Sequence, residues 1–144
     1  MDGELTPFGH VARIRVYYED TDFSGAVYHA NYLKFCERGR SDFLRLKGIH
    51  HHELAGDGSG FVVRRMVCDF LKPARIDDLL TVETRLLEAA GARLRLAQSI
   101  LREREKLFEA EVIVALVDGR GRPRRLPASL AATLSRVASE KPTA

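Results

Sequence analysis

Hydrophobic periodicity switches between strand and helical spacing along this chain, and the order of those switches limits the folds open to it. Residues 31 to 47 repeat at helical spacing, with Tyr32, Phe35, Cys36, Gly39, Phe43 and Leu46 on one side. Lys34, Glu37, Arg38, Asp42 and Arg45 occupy much of the rest. From Phe61 onward the period is two. Phe61 to Lys72 reads as a strand stopped by Pro73. In Asp78 to Glu88, Leu80, Val82, Thr84 and Leu86 share one face. In Arg93 to Arg102, Leu94, Leu96 and Ile100 lie opposite Arg93 and Arg95. Leu107 to Asp118 turns Phe108, Ala110, Val112, Val114 and Leu116 inward. Ahead of the helix, residues 11 to 18 alternate, setting Ala12, Ile14, Val16 and Tyr18 against Arg13 and Arg15. A short closing helix is expected over Pro127 to Val137. The order β-α-β-β-β-β leaves one helix to be covered by a mostly antiparallel sheet, an α+β architecture in a single domain, 1–144. One helix cannot cover both faces and both edges of such a sheet, which favours an oligomer.

Asn31 suits the N-cap of the long helix, and Gly48 is a natural C-terminal stop. Gly39 in mid-helix costs about 1 kcal/mol relative to Ala, a cost that a close approach by a neighbouring element explains. Charged residues make up 30% of the chain and hydrophobic ones 45%, the balance of a soluble globular protein. The net charge of +3 suits an anionic small molecule or an acidic partner and is too mild to indicate nucleic acid. Met1-Asp2-Gly3-Glu4 lacks the apolar stretch of a signal peptide, and the longest apolar run, Val112 to Val117, is too short to span a bilayer. Cys36 and Cys68 stand in unlike contexts and read as reduced packing residues. A cytoplasmic protein with no transmembrane segment is expected.

The chemistry concentrates in Glu19 to Asn31, between the first strand and the long helix. A helix start offers unpaired N–H groups and a positive dipole end. Asp20 and Asp22 are candidates for turn capping, since Asp bonds its own backbone. Equally, one of them faces a reactive carbonyl lying over the helix start, where N–H groups stabilise an oxyanion. His29 is either solvated or part of that site. Asp20-x-Asp22-x-Ser24-Gly25 begins like a calcium-binding loop, but Asn31 stands where the bidentate Glu is needed and the upstream flank is a strand. His50-His51-His52 is contiguous, a poor geometry for one ion, so no metal site is expected. Glu37 and Arg40 read as part of the helix's charged face. Arg120, Arg122, Arg124 and Arg125 read as a solvated turn, or as phosphate contacts. The chain has no Gly-rich phosphate loop and no nucleophile elbow.

The run Val16-Tyr17-Tyr18-Glu19-Asp20-Thr21-Asp22, then Gly25-Ala26-Val27-Tyr28-His29-Ala30-Asn31-Tyr32 and Glu37-Arg38-Gly39-Arg40, closely resembles the Tol–Pal-associated acyl-CoA thioesterases. These belong to the hotdog-fold superfamily that includes 4-hydroxybenzoyl-CoA thioesterase. The resemblance continues through Phe61-Val62-Val63-Arg64-Arg65-Met66, Pro73-Ala74-Arg75-Ile76-Asp77-Asp78, Glu109-Ala110-Glu111-Val112 and Leu126-Pro127. It implies a curved antiparallel sheet wrapped round one long helix, a homodimer or homotetramer, and hydrolysis of acyl-CoA without metal or cofactor. It also implies that Asp22 is the catalytic carboxylate and that the helix-start amide of His29 polarises the thioester carbonyl. Tyr28, Asn31 and Glu37 are then expected to position the substrate, and Arg64, Arg65 and Arg75 to hold the CoA phosphates. Ala26 departs from the Val or Ile usual in the family. Phe23-Ser24 departs from smaller residues and bears on the acyl pocket. Asp22 acts either as nucleophile, through a mixed anhydride, or as general base on water. Two other classes stay open: a hotdog dehydratase of hydroxyacyl thioesters, and a non-catalytic acyl-thioester-binding or envelope-associated protein.

Overall fold

The computed structural model describes residues 2–49 and 58–139, so His50, His51 and His52 lie outside the described residues. Its elements are β1 (Glu4–Thr6), β2 (Gly9–Arg15), a 3-10 turn (Tyr18–Asp20), α1 (His29–Leu46), β3 (Gly60–Phe70), β4 (Leu79–Ala90), β5 (Arg93–Arg102), β6 (Glu105–Val117) and α2 (Ala128–Ser139). The strands form one six-stranded sheet in the order β1-β2-β4-β5-β6-β3. Every neighbouring pair is antiparallel. The β4–β5–β6 meander fills the middle, and the chain crosses from β2 through α1 to the far edge, where β3 pairs, among the described residues, with β6 alone.

Helix α1 lies mainly against β2, β4 and β5. The residues it covers are those expected from period two: Leu80, Val82, Leu86, Leu94, Leu96, Ile100, Phe108, Val112 and Leu116 are all buried. Phe35, Cys36 and Phe43 meet them from the helix. Gly39 is required by that contact. A Cβ there would sit 3.0 Å from Val82 Cγ1 and 3.1 Å from Thr84 Oγ1. At the other end, Gly48 takes φ +84°, the left-handed conformation that stops the helix. Helix α2 closes over β4 through Leu134 and Val137.

Four local expectations are corrected. Three-residue β1 was too short to show a period; its hairpin with β2 is tied by the Gly9 N–H donating to Thr6 Oγ1 at 3.0 Å. Tyr18 does not continue β2 inward but is 82% exposed. The ladder ends because Val16 pairs with Asp77 and Asp78, and the 3-10 turn then redirects the chain. Leu71 and Lys72 lie beyond β3, since both their N–H groups converge on the Leu107 carbonyl. Arg40 is not on a solvated face: it is 8% exposed and donates to Gln98 Oε1 at 2.9 Å. Gln98 in turn donates to the Cys36 carbonyl at 2.9 Å and to Thr84 Oγ1 at 2.8 Å. Burial pushes the Arg40 pKa down. The Arg120–Arg125 segment forms a turn in which Asp118 Oδ1 accepts the N–H groups of Arg120 and Arg122, and Arg124 donates to Ser59 Oγ.

Candidate active site

Asp20 spends both carboxylate oxygens on structure. Oδ2 accepts the Tyr17 N–H at 2.9 Å, and Oδ1 accepts the Asn31 side-chain amide at 3.0 Å. Its carbonyl accepts the Tyr28 N–H at 3.0 Å, and the residue is buried. One aspartate therefore ties the end of β2 to the start of α1. The same contact corrects the helix boundary. Asn31 is not the N-cap, because its amide is drawn to Asp20 and its backbone is already helical. Tyr28 occupies that position and makes no side-chain cap bond. The helix start is thus uncapped. The His29 and Ala30 N–H groups have no hydrogen-bond acceptor among the described residues.

Asp22 has the opposite environment. It lies exposed in the loop between Asp20 and the helix, where its N–H donates to the Ala26 carbonyl at 2.9 Å and its carbonyl accepts the Gly25 N–H at 3.1 Å. Gly25 takes φ +85°, which a side chain would strain. Oδ1 accepts the Ser24 N–H at 2.8 Å and the Ser24 hydroxyl. Oδ2 has no partner among the described residues. The Ser24 hydroxyl, then its N–H, hold the Asp22 carboxyl below the usual carboxylate range. The loop is braced from behind. Val27 N–H donates to the Ala74 carbonyl at 2.9 Å, Ile76 N–H to Gly25 at 3.2 Å, and Ala74 N–H to the Tyr32 hydroxyl at 2.9 Å. The result is an ionised, oriented carboxylate with one free oxygen, in the loop that leads into an uncapped helix start.

Tyr28 is half-exposed with its ring 4.5 Å from that of His29. Arg75 adjoins the loop through the Ala26–Arg75 bridge. Arg64 and Arg65 are exposed on β3. Arg65 precedes Phe70 by five residues, about 17 Å of strand, so one protomer does not bring this pair to the loop. Glu37 stands about 12 Å along the helix axis from His29. There it lines a cavity of about 100 Å³ with Arg40, Ser41, Leu44 and Phe61. A larger concavity of about 970 Å³, bordered by Glu83, Ser99 and Glu109, contains none of these residues. Among the described residues no group of His, Cys, Asp or Glu is placed to hold a metal. Sequence reasoning overlooked Ser24 as the clamp on Asp22, although Asp-x-Ser is the spacing of a side-chain turn. It also overlooked Phe70, whose ring lies 6.3 Å from that of His29.

Residues 16–134 match the thioesterase-like superfamily. The Escherichia coli acyl-CoA thioester hydrolase YbgC is 44% identical over 125 residues, spanning 83% of this chain and 90% of that protein. The Haemophilus influenzae acyl-CoA thioesterase YbgC is 42% identical over 116 residues, spanning 79% and 85%. Among solved structures, a probable thioesterase from Bartonella henselae is similar at a TM-score of 0.79 and 49% identity, covering 83% of this chain and 99% of that one.

Proposed function

The chain belongs to the thioesterase-like superfamily and is an acyl-CoA thioester hydrolase, and we propose that Asp22 and the start of α1 carry its reaction. The observation that supports this is that an ionised Asp22 oxygen and the His29 and Ala30 N–H groups, all without a partner among the described residues, belong to one loop and the helix it enters. A thioester carbonyl seated on those N–H groups is polarised, and its oxyanion is stabilised as charge develops. Asp22 attacks the carbonyl carbon, the C–S bond breaks, CoA leaves as thiolate, and water hydrolyses the anhydride. In the other form Asp22 takes a proton from the attacking water. Thiol release from acyl-CoA measures the activity, and single turnover in ¹⁸O-water separates the two forms, since only the first places label in Asp22. Arg75 is the side chain we assign to the CoA phosphates within one protomer. Arg64 and Arg65 serve that role from β3 of a neighbouring copy.

The His29 contribution is through its backbone. His29→Ala retains the N–H, so kcat is expected to fall by less than tenfold, well short of the loss at Asp22. Equal losses in the two variants mean that the imidazole takes part in the chemistry.

The enzyme is a homodimer or homotetramer on this reading. β3 is an eleven-residue edge strand with one side unpaired among the described residues, and Val62, Val63 and Val67 along it are 44–50% exposed. Such an edge is a template for pairing with another chain. Light scattering at micromolar concentration is expected to give the mass of two or four chains, and a stable, active monomer refutes the assembly. No described helix is long and apolar enough to cross a membrane. We place the enzyme in the cytoplasm, in keeping with the free thiols of Cys36 and Cys68.

A further inference from the structure

We propose that Phe70 is the residue that sets acyl-group selectivity, its ring forming the apolar wall beside the reacting carbonyl. This rests on the assignment of Asp22 and the helix start as the site. Phe70 ends β3 opposite Phe108 in the register, which turns its ring to the side of the sheet that carries α1. There it meets Phe108 at 5.1 Å and Tyr32 at 5.7 Å, both edge-to-face, while Tyr32 and Phe108 stack at 5.3 Å. Those two rings are buried, at 4% and 0% exposure. Phe70 is 50% exposed. One edge of its ring is thus clamped by a rigid aromatic pair, and the other is left open 6.3 Å from the His29 ring, at the first residue of the helix. The Tyr32 hydroxyl, held by the Ala74 N–H, fixes the pair to the segment that braces the Asp22 loop. The wall and the carboxylate therefore share one support.

The neighbouring surface continues the wall away from the carbonyl. Met66 and Cys68 alternate with outward residues on β3 and are only partly covered, because α1 lies over β2, β4 and β5 and leaves the β3 side of the sheet less covered. His29, Leu33, Glu37 and Ser41 form one stripe of the helix by their spacing of four. Glu37 and Ser41 of that stripe face Phe61 across the small cavity. A chain entering at His29 passes Phe70 first and then lies between helix and edge strand, with Met66, Cys68 and Phe61 on the strand side. An acyl group with apolar carbons next to its carbonyl fits this wall, and one with a polar group at that position does not.

The test is a selectivity profile. Acetyl-, butyryl-, octanoyl-, palmitoyl- and benzoyl-CoA are compared as substrates of the unmodified protein and of Phe70→Ala, Phe70→Leu and Phe70→Trp, with molecular mass measured on the same samples. Phe70→Ala removes contact with the first acyl carbons and opens space beside them. The ratio of octanoyl to butyryl kcat/KM is expected to rise about tenfold, the scale of a changed hydrophobic contact in a pocket. KM should carry most of the change. Phe70→Leu moves the same ratio less, and Phe70→Trp moves it the other way. The half-exposed position makes folding of all three variants expected. A uniform loss on every substrate overturns the proposal. So does a fall in mass that the loss follows, which would make Phe70 an interface residue instead. Failure of the unmodified protein to hydrolyse any of these thioesters, or full activity in Asp22→Asn, removes the underlying site assignment and the proposal with it. An unmoved ratio beside an inactive Asp22→Asn removes the Phe70 role alone.

Discussion

Asp22→Asn is expected to lower kcat by about 10²-fold or more, the scale of losing a positioned catalytic group, with little change in melting temperature. Asn keeps an oxygen for the Ser24 N–H and hydroxyl to donate to, so the turn survives, and an exposed position loses no packed volume. Only the charge and its lone pairs go. Asp20→Asn is the internal control. Both Asp20 oxygens accept hydrogen bonds, from Tyr17 and Asn31, and an amide nitrogen cannot replace the second acceptor. It should cost about 1–3 kcal/mol of stability, the penalty for a buried group left unpaired, with a modest rate loss. The pH profile adds a check. Ser24 depresses the Asp22 pKa, so the ionised form persists as pH falls through the usual Asp value of about 3.9. The acid limb of kcat/KM should lie below that value and move up in Ser24→Ala, provided circular dichroism shows the protein still folded. Near-normal turnover in Asp22→Asn would falsify the central assignment.

Gln98→Leu is expected to destabilise the protein by about 3 kcal/mol, because it removes the only described hydrogen-bond acceptor of the buried Arg40 guanidinium. It also strips the donor from the Cys36 carbonyl and Thr84 Oγ1. For a chain of this size the melting temperature should fall by roughly 6–12 °C. Arg40→Met together with Gln98→Leu should recover part of that loss, since replacing a buried polar pair by apolar groups costs less than orphaning one member. Thermal unfolding of the three proteins measures it. If the double variant is no more stable than Gln98→Leu alone, the uncompensated guanidinium is not the source of the loss. This substitution acts on the helix–sheet contact, and Asp22→Asn acts on chemistry, so their effects should separate cleanly between melting temperature and kcat.

The sequence by itself determined what depends on near neighbours. The inward sets of β4, β5 and β6 follow from alternation, because successive side chains of a strand point to opposite faces. The buried stripe of α1 and its stop at Gly48 follow from helical spacing and from glycine's access to positive φ. Gly39 announced a close approach, and the facing residues proved to be Val82 and Thr84. Residue types also marked the strand-to-helix junction as the candidate site, and the resemblance of that segment to a thioesterase family proposed the roles. Tertiary structure alone decided which partner each group finds. Asp20 and Asp22 are equivalent on paper. They differ because Asn31, eleven residues on, reaches one of them and Ser24, two residues on, holds the other. That same contact removed Asn31 from the cap and left the helix start open. Arg40 reads as a surface charge until β5 places Gln98 beneath it. Phe70 reads as the end of an ordinary strand until β3 pairs with β6 and sets its ring beside Phe108, Tyr32 and His29. Periodicity is a property of residues two to four positions apart, whereas these pairings join residues up to dozens of positions apart, so only the order of strands in the folded sheet brings them together.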